Sequence, residues 1–159
     1  IDEIAASMAV ADHPDEADVA TEMLGDLGPA ARRAEPQLLA ALQSKSVQVR
    51  IYAAGALGTI GVHSQQDIDA LIHVLHNDPE NEAARSAAIA LGQIGSKASA
   101  AVPDLRQALK RGAGWWVAAD ALGKIGTPDA IAALHEAAQS PNADIRRTAE
   151  QWLAKLEKP

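Results

Sequence analysis

Residues 53–61, AAGALGTIG, constrain the fold more than any other stretch, because their pattern returns along the chain at nearly even steps. Leu24-Gly25-Asp26-Leu27-Gly28, Leu57-Gly58-Thr59-Ile60-Gly61, Leu91-Gly92-Gln93-Ile94-Gly95 and Leu122-Gly123-Lys124-Ile125-Gly126 carry it, and Leu153-Ala154-Lys155-Leu156-Glu157 is a degenerate fifth copy. The leading leucines are 33, 34, 31 and 31 residues apart. A period in the thirties belongs to stacked supersecondary units, each too small to bury its own apolar face.

Four residues before each leucine stands an alanine: Ala20, Ala53, Ala87, Ala118 and Ala149. With the leucine, and the Leu or Ile three residues on, it forms one helical face. The glycine after the leucine costs about 1 kcal/mol of helix propensity against Ala, so its recurrence points to a neighbouring helix packed on bare backbone. The second glycine of each copy (Gly28, Gly61, Gly95, Gly126) falls where a helix should end on a left-handed residue. A shorter helix is expected ahead of each of these, marked by Ile4 and Met8, Leu38 and Leu42, Leu71 and Leu75, Leu105 and Leu109, and Leu134 with Ala138. Pro36, Pro103 and Pro128 precede three of these pairs, at places suited to the first turn of a helix. HPDE, NDPENE and SPNAD read as turns, so the unit is helix, turn, helix.

Val49-Arg50 followed by AAGALGTIG, and Ile145-Arg146 followed by Ala149 and Leu153, resemble the second helix of a HEAT repeat of the bilin-lyase-like (PBS-lyase HEAT-like) subclass. The resemblance covers nearly the whole chain. It implies an all-α, right-handed α–α superhelix of about five helix pairs, with the second helices lining the concave face. The expected repeats are 1–28, 29–61, 62–95, 96–126 and 127–159, within one domain.

Composition agrees with stacking rather than with a central core. The chain is 159 residues long and 48% apolar, yet has no Phe and only 3% aromatic residues; a solenoid needs small apolar residues between close helices. No window reaches 18 uncharged apolar residues and no charged-then-apolar leader opens the chain, so neither a membrane span nor a signal peptide is expected. The chain opens at Ile1 rather than Met, which suggests a domain cut from a longer protein. The absence of cysteine suits a reducing compartment and the periplasm alike, leaving localisation open with the cytoplasm slightly favoured.

The net charge of −7 is confined to residues 1–35, with nine acids and two arginines; residues 36–159 balance twelve acids with twelve bases. Such an acidic end repels nucleic acid and offers Asp18, Glu22 and Asp26 as a secondary candidate for a basic partner, or is simply a solvated cap. Counting at 100° per residue, the positions six and two before each leucine, and two after it, point away from the buried face. They are Asp18, Glu22, Asp26; Ile51, Gly55, Thr59; Arg85, Ile89, Gln93; Trp116, Asp120, Lys124; and Arg147, Gln151, Lys155. Ile51, its neighbour Tyr52, Ile89 and Trp116 make the middle of this surface apolar, which marks a binding site. Alternatively, curvature buries these side chains against the adjacent repeat.

The fourth repeat is short: Leu109 and Leu122 are 13 residues apart, against 15 from Leu42 to Leu57 and 16 from Leu75 to Leu91. Lys110-Arg111-Gly112-Ala113-Gly114-Trp115-Trp116 stands at its turn. Trp115 is expected to fill the space that the lost residues leave, Trp116 to face outward, and Trp152 to pack the terminal cap. Asp69, His73 and His76 share a helix face but lack a fourth metal ligand, so no metal is expected. GQIGSK lacks phosphate-loop spacing. The single His135-Glu136 pair falls short of the several pairs of deoxyhypusine hydroxylase, a HEAT-like enzyme. No nucleophile constellation is present.

The expectation is therefore a non-catalytic scaffold without cofactor, taking a partner protein or peptide on Ile51, Tyr52, Arg85, Ile89, Trp116 and Asp120. Nucleic acid and membrane are not expected partners, and the oligomeric state is open. The alternative implied by the resemblance is a bilin lyase or chaperone holding a linear tetrapyrrole in the groove against Tyr52, Trp116 and Arg85.

Overall fold

The computed structural model describes residues 28–60, 64–112 and 114–158. Asp18, Glu22, Asp26 and Gly61 lie outside the described residues. Within them every regular element is helical, and four helix pairs follow one another. They are α1 (Glu35–Ala41) with α2 (Val47–Thr59), α3 (Gln65–Asn77) with α4 (Asn81–Ile94), α5 (Val102–Ala108) with α6 (Trp116–Ile125), and α7 (Pro128–Ala137) with α8 (Ala143–Leu156). The leucine motifs from Leu57 onward lie on the second helix of each pair, as the all-α superhelix requires. Short 3-10 stretches, Gly28–Ala34 and Gly95–Ala101, lead into α1 and α5, a detail that the apolar spacing does not reveal.

Local chemistry sets the helix ends. Pro36, Pro103 and Pro128 sit in the first turn of α1, α5 and α7, where the missing N–H is not needed. Ser46 caps α2 and Asn142 caps α8 through side-chain oxygens, while Ser64 and Asp67 cap α3 reciprocally. Gly126 ends α6 at φ 63°, a left-handed conformation that a Cβ disfavours.

The second helices pack almost backbone to backbone. A Cβ placed on Gly58 of α2 would lie 2.8 Å from the Cα of Ala90 on α4, and one on Gly92 of α4 would lie 2.8 Å from the Cα of Ala121 on α6. At the α6–α8 contact the same role falls to Gly123, whose added Cβ would lie 2.1 Å from the Trp152 ring. First helices meet instead through long polar side chains: His76 of α3 faces Asp104 of α5, and Arg106 of α5 pairs with Glu136 of α7. Contacts are far more extensive between successive second helices than between successive first helices. The second helices are therefore the more closely packed layer, the arrangement expected of the inner side of a superhelix.

One bridge ties the first two described pairs together at their turns. Arg50 on α2 donates to both carboxylate oxygens of Asp78, at 2.6 and 2.9 Å, and to the carbonyls of Ser44 and Lys45. Both side chains are nearly enclosed, 11% and 4% exposed. Burial pushes the Asp78 carboxyl upward, but the Arg50 hydrogen bonds, the Glu80 N–H and the Arg50 charge outweigh it and hold the group below the usual range. The Arg50 guanidinium is correspondingly pushed up, chiefly by the hydrogen bonds it donates to Asp78. The opposite case lies nearby. Asp67 is fully buried, with Oδ2 accepting from the N–H and hydroxyl of Ser64 and Oδ1 without a partner among the described residues. Burial first, and then the Asp67 charge, raise the Glu35 carboxyl above its ordinary range.

Three outcomes follow from this packing. Gly92→Ala should lower stability by about 1–3 kcal/mol, because the obstructing atom is backbone; thermal denaturation followed by circular dichroism measures it. Asp78→Asn should cost about 3 kcal/mol at neutral pH, since it leaves the Arg50 charge buried and unpaired. Because the folded pKa of Asp78 is depressed, its contribution is complete above the unfolded value and is lost as pH falls through the folded one, so the gap between the two proteins should close on acidification. Glu35 has the opposite sign: its ionised form is disfavoured in the folded chain, and Glu35→Gln should raise the melting temperature at neutral pH but not at acidic pH.

Candidate binding surface

The inner face is built from the outward row of the second helices. Its two prominent side chains are Ile89 on α4, 40% exposed, and Trp116 at the start of α6, 45% exposed, both large hydrophobic groups held outside the core. Ile51 of this row and its neighbour Tyr52, both on α2, are half-buried against the core, and the Ser86 hydroxyl of α4 donates to the Ile51 carbonyl at 2.9 Å. Packing thus covers part of the apolar row and leaves Ile89 and Trp116 uncovered.

Arg85 joins them from α4, one turn before Ile89 on the same face. Its Nη2 donates to Glu82 at 2.9 Å, and its Nη1 lies where a Cβ on Gly114 would come within 2.9 Å. The guanidinium therefore rests on the bare backbone just ahead of Trp116. Asp120 serves the architecture: it accepts from Nε1 of Trp152 at 2.9 Å and pairs with Lys124 at 2.8 Å. Lys155 lies 4.5 Å above the Trp152 ring. That set fixes Trp152 over Gly123 as packing in the last pair. Gln93, Lys124, Arg147, Gln151 and Lys155 are exposed in the same rows and give the patch a polar rim.

The shortened turn before α6 sorts the adjacent tryptophans as their phase requires. Trp115 is 1% exposed and Trp116 points to solvent. Arg111 covers the Trp115 ring at 4.8 Å and donates to the carbonyl of His76. Trp115, the residue just ahead of α6, occupies the repeat position that Arg50 and Arg146 hold in α2 and α8, seven residues before the motif leucine. Spacing alone carried no sign of this exchange, since the shared position shows only when the repeats are aligned on their leucines.

The other constellations resolve into pairs. His76 Nδ1 meets Asp104 at 3.1 Å, His135 Nε2 meets Glu157 at 2.7 Å, and Glu136 binds Arg106. Among the described residues no group of three or more His, Cys, Asp or Glu side chains converges in a way that could hold a metal ion, and no helix is long and apolar enough to cross a membrane.

The sequence profile of the HEAT repeats matches residues 1–85 and 68–155. Among solved structures, the chain is similar to the complex of CpcE and CpcF of phycocyanin lyase from Nostoc sp., with a TM-score of 0.75 at 23% identity, covering 99% of this chain and 65% of that one. The chain thus spans about two thirds of that relative's length. It is also similar to two engineered proteins, with TM-scores of 0.68 and 0.62 at 21% and 18% identity. They cover 98% of this chain in both cases, and 80% and 47% of theirs. No curated protein matches the chain in sequence. These likenesses bear on fold: helix pairs stacked into a superhelix.

Because Trp116 and Ile89 are exposed, their replacement should be nearly silent for folding: Trp116→Ala and Ile89→Ala should each leave stability within about 0.5 kcal/mol in chemical denaturation. A larger loss would show that curvature buries them after all.

Proposed function

Because the chain belongs to the HEAT-repeat family, we propose that it is a binding scaffold whose inner face receives a partner protein or peptide over Ile89 and Trp116. One observation carries this reading: two large apolar side chains, Ile89 and Trp116, stand exposed beside helix contacts that bury nearly all the other large apolar side chains of α4 and α6. Folding gains nothing from leaving them in water, whereas a partner that covers them recovers their burial. Trp116 is the stronger anchor, being large, rigid and amphipathic, and the Arg85 guanidinium beside it supplies a directional donor at the edge of the patch. Helices packed at backbone contact hold these groups in place before binding, so little ordering entropy is lost on association. Tyr52 and Ile51 act as the half-buried floor of the patch, and Asp120 acts through Trp152 rather than on the partner. The acidic first 35 residues disfavour a polyanionic partner such as nucleic acid, and leave Asp18, Glu22 and Asp26 as a second contact for a basic one.

A second reading is favoured by the likeness to the phycocyanin lyase complex and by the grouping of Tyr52, Arg85 and Trp116 on one face. Aromatic planes and a guanidinium are suitable contacts for the rings and propionates of a linear tetrapyrrole. Titration with bilin separates the two readings: a shift of the bilin absorbance band that Trp116→Ala abolishes supports the tetrapyrrole, and an unchanged spectrum supports the protein partner.

The scaffold reading is tested by comparing capture from source-cell lysate by the intact chain and by an Ile89→Asp, Trp116→Asp variant whose circular dichroism remains helical. Loss of two anchors should weaken a protein retained by the intact chain by about 30-fold or more. Equal retention by both would move the site off this face.

A further inference from the structure

A further recess lies at the outer, turn edge, where α5 and its turn meet α7 and α8. A recess of about 350 Å³ opens there, with Leu109, Ala133, Ala137 and Ile145 as its apolar floor, and Lys110 and Arg106 on its rim. The equivalent place between the α1–α2 and α3–α4 pairs is a smaller recess of about 210 Å³, lined by Leu42, Val74, Arg50 and Asp78 among others. Aligning the helix pairs on their leucines shows what enlarges the former. The bridging Arg50 is replaced by Trp115, which turns into the core, and its acceptor Asp78 is replaced at the same turn position by Ser140. Val74 is replaced by Ala137. Both halves of the bridge and part of the floor are therefore missing at one joint. Arg146, the remaining arginine of this type, turns to its own Ser140 carbonyl at 2.8 Å and does not span the recess.

The charge of the rim identifies the kind of occupant. Glu136, the acid in the lining, is engaged by Arg106. Lys110 is exposed and has no ion pair among the described residues, and Arg111 follows it. An apolar floor with the unpaired Lys110 ammonium at its rim, the Arg106 charge being matched by Glu136, suits a carboxylate beside a medium-sized apolar group. The recess is lined by Gly112 and by Gln139, Ser140 and Pro141 of the turn and is partly open to solvent, so an occupant is covered on one side only, as a peptide side chain is. We propose that this recess is a docking site for an acidic peptide segment, with one aliphatic side chain seated on Leu109, Ala137 and Ile145 and a neighbouring carboxylate on Lys110. It is separate from the inner face and stands whether or not that face binds a partner.

The test uses a short peptide of aspartates and glutamates with one central leucine, titrated into the isotope-labelled chain while amide chemical shifts are followed. Saturable shifts should cluster at Leu109, Ala137, Gln139 and Ile145. Lys110→Glu, at an exposed position outside the core, should weaken binding roughly tenfold while leaving the circular dichroism helical, and a peptide with alanine in place of leucine should lose a similar factor. Ala137→Leu, which fills the recess, should abolish binding, whereas Trp116→Asp should leave it unchanged. The proposal is overturned if no saturable shift appears at these amides, if the leucine and alanine peptides bind equally and so report charge alone, or if Trp116→Asp removes the binding.

Discussion

The structure depends on the distance between successive second helices. Where a Cβ at Gly58 or Gly92 would sit 2.8 Å from a neighbouring Cα, the helices cannot be as close with any other residue in place. Glycine in a helix costs propensity, and the contact it permits has to recover that cost through dispersion and burial along the whole facing pair. The alanines at 53, 87, 118 and 149, all wholly buried, extend the same thin seam. First helices meet through longer side chains, such as Arg106 and Glu136, and a stack whose two layers are packed unequally is expected to curve toward the tighter one. Small residues on one layer and polar bridges on the other thus produce a concave face without any residue dedicated to shape.

That geometry explains both the apolar patch and its limits. A row of side chains pointing away from the packed seam would be fully exposed on an isolated helix. In the stack, Ile51 and Tyr52 are half-buried against the core, while Ile89 and Trp116 stay open. The patch is therefore narrower than its row, and its centre lies on the α4–α6 pair. Asp120, in the same row, is drawn sideways to the indole N–H of Trp152. A side chain's direction is set by its own helix, but its use is set by the next one.

Much of this was legible from spacing. The leucine–glycine pattern gave the helix pairs, the close contacts at Gly58, Gly92 and Gly123, and the opposite fates of Trp115 and Trp116. The prolines marked the first turns of α1, α5 and α7. What stayed hidden requires knowing which turn lies beside which. The Arg50–Asp78 bridge joins residues 28 apart, and nothing local to either announces it. Asp67 reads as an ordinary polar residue of a solvated helix start, yet it is buried because the capping box folds its carboxylate inward beneath Glu35. The recess at Leu109 and Ala137 was invisible for a related reason: it exists through what is missing from one joint relative to another, and only an alignment of joints exposes it.

The placement of the tryptophans gives the molecule an uneven optical record. All three belong to the last two helix pairs: Trp115 enclosed beneath a guanidinium, Trp116 in water, and Trp152 hydrogen-bonded to a carboxylate under an ammonium group. Their emission therefore samples only one end of the stack, whereas the far-ultraviolet dichroism of the peptide groups averages over its whole length. In a chain whose units contact only their neighbours, the ends and the middle need not melt together. Fluorescence here is a local thermometer, and any interval between the optical and the dichroic transitions measures how far cooperativity travels along the superhelix.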